Sequence, residues 1–163
     1  MNTPKADDAG TENAVAQSRP AESGPAESGA EITLHSRYIK DMSFENTGAP
    51  AAVDKDGLHL DISVGIDVRR RGELYEVVLS ITATALQESE ILFIAEVSYA
   101  GLFEMPGIEA AACERFAFQD APRIMFPFVD RIIADVTRDG GYPPLNLTPP
   151  DWTALYPKKR AEV

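Results

Sequence analysis

Between Ile91 and Met105 the chain reads ILFIAEVSYAGLFEM, its most apolar run, with the two-residue period of a β-strand. Ile91, Phe93, Ala95, Val97, Tyr99 and Phe103 fall on one face as continuous core. Leu92, Ile94, Glu96, Ser98 and Glu104 fall on the other, a mixture of aliphatics and carboxylates that suits a sheet surface made to be touched. Three other stretches alternate in the same way. Leu58–Arg69 sets Leu58, Leu60, Ile62, Val64, Ile66 and Val68 against His59, Asp61, Ser63, Gly65, Asp67 and Arg69, the pattern of a half-buried strand. Tyr75–Leu86 is rich in β-branched residues, and short turns at Arg70–Glu73 and Gln87–Glu90 join these three strands as an antiparallel meander. Arg37–Glu45 predicts a further strand, with Tyr38, Met42 and Phe44 on one side and Ile39, Asp41, Ser43 and Glu45 on the other. Asn46–Gly57, punctuated by Gly48, Pro50 and Gly57, is too long for a tight hairpin and reads as a crossover loop.

After Pro106 the period changes. Ile108–Phe118 predicts a short helix, and Pro122–Arg138 a longer one with two adjacent stripes, Ile124/Phe128/Ile132/Val136 and Met125/Val129/Ile133. Pro127 inside this pattern predicts a start or a kink there. Asp139-Gly140-Gly141 ends the helix through left-handed conformations. The extended segment Gly140–Pro150 leads to a closing helix that Asp151 can cap, with Trp152, Leu155 and Tyr156 on one side. The fold class is therefore α+β: a four-stranded antiparallel sheet with a crossover between strands 1 and 2, followed by helices packed on it.

Composition divides the chain. Residues 1–31 are rich in Ala, Glu, Ser, Gly and Pro, with PAESG at Pro20–Gly24 repeated at Pro25–Gly29. Such a stretch buries too little apolar surface to offset its ordering entropy and is expected to be a disordered acidic leader. The folded domain is expected over 32–157, with a short flexible tail at 158–163. In the leader Lys5 and Arg19 face Asp7, Asp8, Glu12, Glu22, Glu27 and Glu31, net −4, which leaves −7 of the chain's −11 to the rest. That charge disfavours nucleic acid and anionic membrane surfaces and favours a basic partner. No stretch reaches the ~20 apolar residues of a membrane span and no signal peptide is visible, so a cytoplasmic location without membrane insertion is expected. The lone Cys113 allows no internal disulfide and reads as core packing.

Catalytic and cofactor signatures are missing. There is no glycine-rich phosphate loop. His35 and His59 have no ligand-spaced partner for a metal. Ser43, Ser63, Ser80 and Ser98 sit in strands without an activating base. Asp41, Glu45 and Glu96 admit three readings: solubility, an acid/base set in a sheet-lined pocket, or, in the company of Ile39, Leu92 and Ile94, the footprint of a basic, partly apolar protein partner.

YIKDMSFENTGAP (Tyr38–Pro50), YEVVLSITATA (Tyr75–Ala85), LFIAEVSYAGLFEMPGI (Leu92–Ile108) and IMFPFVDRIIADVTRDGGYPPLNLTPPDWTALY (Ile124–Tyr156) together resemble SecB, the bacterial protein-export chaperone family. The resemblance runs from about Ile32 to Tyr156, and GGYPPLNLTPPDW is its most specific block. It implies a cytoplasmic homotetramer, a dimer of dimers, that is not an enzyme and needs no cofactor. Such a protein binds unfolded precursor proteins, keeps them translocation-competent and delivers them to the SecA motor. It implies that SecA's basic zinc-bearing tail docks at Asp41, Glu45, Ile94 and Glu96, the zinc being the partner's. It further implies a client groove drawing on Val53, Leu58, Leu60, Ile62, Trp152, Leu155 and Tyr156, and an oligomer interface at Phe93, Ala95, Val97 and Tyr99. Plain core packing competes for Leu60, Ile62 and the interface set. Two alternatives stay open: a SecB-like chaperone dedicated to another client such as an antitoxin, and a small enzyme built on the carboxylates.

Overall fold

A computed structural model describes residues 31–47 and 57–155. Four long strands, β1 (Thr33–Asn46), β2 (Leu58–Arg71), β3 (Leu74–Gln87) and β4 (Glu90–Glu104), form one antiparallel sheet in the order β1-β4-β3-β2. The meander is as the sequence predicts, and β1 returns to pair with β4, so β1 and β2 are the two edges. One helical run follows. It comprises α1 (Ala110–Arg115), a π-turn (Phe116–Asp120) and α2 (Ala121–Asp139), and it covers a single face of the sheet. The expected leader apart from Glu31, the C-terminal tail, and two expected groove residues, Val53 and Tyr156, lie outside the described residues.

The β4 alternation holds where it matters: Phe93, Ala95, Val97, Tyr99 and Phe103 are buried. Two bulges change the expected faces. One between Ile39 and Asp41 leaves Lys40 without an opposite residue, so Ile39 faces Tyr99 on the helix side while Tyr38 faces Ala100 on the uncovered side. A bulge adds one residue to one strand and so reverses every face beyond it. Ile39 therefore does not share a face with Asp41 and Glu45, and Tyr38 does not share one with Met42 and Phe44. The second bulge, between Ala85 and Leu86, sets Ile91 opposite Leu86 rather than on the Phe93 side, and Ile91 is exposed.

The helices differ from expectation at their joints. The predicted short and long helices are one run, interrupted only by the π-turn, the usual one-residue accommodation inside a helix. Pro127 does not start α2, which begins at Ala121; it lies on the exposed side within the helix. Met125, Val129 and Ile133 point into the core, whereas Ile124 of the other stripe is exposed. Of the two glycines that end α2, only Gly141 is left-handed, at φ 91°. Gly140 stays helical at φ −72°, and its need for glycine is spatial, because an added Cβ would sit 2.4 Å from two ring carbons of Phe44.

The β3–β4 hairpin turns on Glu88 (φ 49°) and Ser89 (φ 72°), both left-handed without being glycine. Two-residue hairpins favour this geometry because it matches strand twist, and they favour Asn-Gly in it. Glu88→Asn with Ser89→Gly is expected to raise stability by about 1 kcal/mol, since the two replacements together relieve about 2 kcal/mol of left-handed strain and the glycine's greater freedom in the unfolded chain offsets about half of it. Urea denaturation checks it: an unchanged midpoint would mean that the turn relaxes in solution.

Candidate functional site

Two surfaces stand out, one on each side of the sheet. On the uncovered side, the side chains of adjacent strands form rows across the strands. Glu45 lies opposite Ile94, Ser43 opposite Glu96, and Asp41 opposite Ser98; β3 continues these rows with Thr84, Thr82 and Ser80. The structure thus brings Asp41, Glu45, Ile94 and Glu96 together on one polar face, as expected, without Ile39. Glu96 accepts hydrogen bonds from Ser43 Oγ (3.3 Å) and Thr82 Oγ1 (3.4 Å), and Ser80 and Ser98 bond each other at 2.9 Å. No carboxylate of this set stands in a closed pocket: Asp41, Glu45 and Glu96 are all exposed. An acid/base site wants a sequestered carboxyl, whereas these are exposed, Asp41 at the rim of an open 240 Å³ hollow shared with Lys40 and Arg69.

Further along the same face lies a residue the sequence reading passed over. Glu76 is 1% exposed and is held by Tyr38 Oη (2.5 Å), Lys40 Nζ (2.9 Å) and Arg71 Nη2 (3.1 Å). The Tyr38 hydrogen bond, then Lys40's, hold its carboxyl at about 2 despite burial, which acts the other way. The same bond and burial push the Tyr38 phenol up. An acid in the apolar run of a central strand was the available signal, since Glu is almost never fully buried unless paired. The Lys40 bulge completes the arrangement, because it puts Tyr38, Lys40 and Asp41 all on one side.

On the helix side, the core covers β2 only in part. Val64, Ile66 and Val68 pack into the main cluster, but Leu60 and Ile62 remain 36% and 39% exposed on this edge strand. Beside them runs the extended segment after α2. Thr137 Oγ1 accepts from Leu145 N (3.0 Å) and Asp130 Oδ1 from Leu147 N (2.7 Å), which moors that segment along the helix. Tyr142, 5% exposed, lies against Phe93 with centroids 4.8 Å apart, and its hydroxyl reaches Asn46 Oδ1 at 2.9 Å; burial raises its pKa. Ala83, Ala85 and Ala95 leave the space beneath these rings. The result is an open apolar hollow of 120 Å³ lined by Leu58, Leu60, Phe93, Tyr142, Pro143, Pro144 and Leu145.

The expected groove set therefore separates. Leu58 and Leu60 line the hollow, and Ile62 continues it along the strand. Trp152 and Leu155 lie elsewhere: Trp152 is 3% exposed, edge-on to Phe126 of α2 at 5.8 Å, and Leu155 packs against the same cluster. Tyr142 through Leu145 were missed as lining, although an aromatic among prolines in GGYPPLNLTPP was the visible signal. Phe93, Ala95, Val97 and Tyr99 are covered by residues of their own chain, so their side chains belong to its core. Among the described residues, no group of three or more His, Cys, Asp or Glu could hold a metal, and no helix is long and apolar enough to cross a membrane.

The family described as preprotein translocase subunit SecB matches residues 25–163. Among curated relatives named protein-export protein SecB, the one from Maricaulis maris is 40% identical over 129 residues, 77% of this chain and 75% of that protein. The one from Hyphomonas neptunium is 42% identical over 121 residues, 74% of this chain and 73% of that protein. The one from Ruegeria pomeroyi is 36% identical over 156 residues, 91% and 88% of the two chains. A solved SecB-like chaperone of Mycobacterium tuberculosis, in complex with a ChAD peptide from the HigA1 antitoxin, shares the fold at TM-score 0.63 and 16% identity, covering 73% of this chain and 90% of that one.

Proposed function

The chain belongs to the SecB family, a family of protein-export chaperones rather than enzymes, and we propose that it acts without nucleotide, in the cytoplasm, as a holder of unfolded precursors that it passes to the SecA motor. The single observation that carries this reading is the half-covered apolar face of β2: Leu60 and Ile62, exposed on an edge strand beside the Tyr142–Leu145 hollow. Aliphatics, an aromatic and prolines on an open trough accept many sequences, and an extended client can add main-chain hydrogen bonds to the unpaired edge. Leu58, Leu60 and Ile62 are the proposed client contacts, joined by Tyr142, Pro143 and Leu145.

The acidic face is the proposed SecA dock, through Asp41, Glu45, Ile94 and Glu96. Its support is the flat cluster of exposed acids around one half-buried aliphatic, complementary to a basic tail. A dimer of dimers is proposed as the assembled form. In its favour, Ile39 and Met42 of the β1 edge and Ile124 of α2 are 47%, 45% and 43% exposed. Arg37 stacks 3.7 Å over Phe128, one helical turn from Ile124, which places these residues along one edge. An antitoxin-dedicated chaperone is less supported, because the relatives from Maricaulis maris and Hyphomonas neptunium, at 40% and 42% identity, are named for export.

Titration with a permanently unfolded polypeptide in the absence of nucleotide, followed by light scattering, tests the holding function. Saturable binding by a tetramer, with folded controls ignored, is expected; a monomer or dimer that ignores the unfolded chain would refute it. For the dock, Glu96→Lys should weaken SecA binding at low salt by about 10- to 100-fold, as expected for a like charge set against a basic partner, and leave binding of the unfolded polypeptide unchanged. Equal SecA affinity for both proteins would remove Glu96 from the surface.

A further inference from the structure

On β4, Glu96 stands between two hydroxyls, one from each neighbouring strand. Ser43 of β1 and Thr82 of β3 are its direct opposite residues, so the three side chains form one row across the strands. The hydroxyls take different oxygens: Ser43 Oγ donates to Oε2 at 3.3 Å and Thr82 Oγ1 to Oε1 at 3.4 Å. Both bonds are long for hydroxyl donors, so neither neutralises the carboxylate. They approach from neighbouring strands on either side, one hydroxyl to each oxygen of the carboxylate. Among the described residues no cation pairs with Glu96; Lys40, Arg69 and Arg71, at the other end of this face, pair with Asp67 and Glu76. An exposed Glu otherwise loses rotamer freedom when a partner binds, an association cost that prior fixing avoids.

Resting on the acidic face being a dock for a basic partner, we propose that Ser43 and Thr82 are positioning residues. They hold the Glu96 carboxylate ready for a cationic side chain without touching that partner themselves. The specificity this confers is geometric. A guanidinium, which bonds both oxygens of a carboxylate side by side, gains more from a fixed carboxylate than an ammonium does.

The test uses the full-length protein and purified SecA, with affinity measured by calorimetry at low and moderate salt. Ser43→Ala/Thr82→Val is expected to weaken binding by about three- to tenfold, the size of one or two modest hydrogen bonds, while keeping the wild-type salt dependence because no charge is lost. Glu96→Gln is expected to weaken binding and flatten the salt dependence. In the Glu96→Gln background the hydroxyl changes should cost nothing further, and Ser43→Thr/Thr82→Ser, which keeps both hydroxyls, should bind like wild type. A weakened Glu96→Gln beside an unaffected hydroxyl variant overturns the positioning role and leaves the dock standing. A hydroxyl effect that persists in the Gln background means direct contact with the partner and overturns it too. If Glu96→Gln itself binds SecA like wild type, Glu96 is no part of the dock and the positioning role fails with it. Unchanged thermal midpoints keep misfolding out of the comparison.

Discussion

Glu76→Gln is expected to lower the stability of the protein by about 3 kcal/mol at pH 7, with the difference from wild type closing as the pH falls from about 5 toward 2. The argument starts from burial. A carboxyl that is 1% exposed loses nearly all its hydration, and that loss alone would raise its pKa. Instead it lies at about 2 against an ordinary 4.5, because Tyr38 donates to one oxygen while Lys40 and Arg71 hold the other. A folded pKa below the unfolded one means that the unfolded chain binds the proton more tightly. The contribution is therefore complete above the unfolded value and is lost as pH passes down through the folded one. At 1.36 kcal/mol per pKa unit the separation amounts to about 3 kcal/mol. Glutamine keeps an acceptor for Tyr38 but not the charge; Lys40 and Arg71, 31% and 58% exposed, can turn to water, which keeps the loss from growing larger. Urea unfolding of both proteins at pH 7, 4 and 2.5 is the measurement. A gap that stays constant across this range would mean that the charge on Glu76 contributes nothing and only its shape matters.

Glu76 also shows where sequence reasoning reaches its limit. The period-two pattern placed all four strands, the order of the meander and the buried face of β4 from Phe93 onward, because side-chain direction in a strand follows from position alone. What the pattern does not carry is a bulge. In RYIKDMSFE both Tyr38 and Ile39 are apolar enough to point either way, so the reversal at Lys40 leaves no mark in the alternation. It became visible only when each residue acquired an opposite number on β4. The acidic site was legible because Asp41, Ser43 and Glu45 lie beyond that bulge and keep one register with Ile94 and Glu96. The hollow was half legible: Leu58, Leu60 and Ile62 announce a face. Nothing local says that α2 stops short of it, or that Thr137 and Asp130 lay the following segment along the helix. Pro127 does not mark the helix start because, although a proline removes one helical donor, on the exposed side of a long amphipathic helix the buried stripe outweighs that loss.

Trp152→Ala separates the fold from the groove. The tryptophan was expected to line the client surface, yet it is 3% exposed and edge-on to Phe126, within the same cluster as Met125, Val129 and Ile133. Its position follows from what precedes it. The extended segment is tied to α2 at Leu145 and Leu147, and Asp151 then turns the chain by accepting from Thr153 N (3.0 Å) and Ala154 N (3.2 Å), which starts a helical turn on the indole. Truncating a buried tryptophan removes its transfer free energy and leaves a cavity, so a loss of about 3–5 kcal/mol is expected. The hollow at Leu58, Leu60 and Tyr142 does not include the indole. The folded variant should therefore bind a permanently unfolded polypeptide within about twofold of wild type, since the segment that lines the hollow stays tied to α2 through Thr137 and Asp130. Thermal unfolding and client titration at a temperature where the variant stays folded separate the outcomes. A stable variant with tenfold weaker client binding would return Trp152 to the groove. An unstable one with intact binding would show that this residue holds down the segment that forms the groove wall and takes no part in the contact.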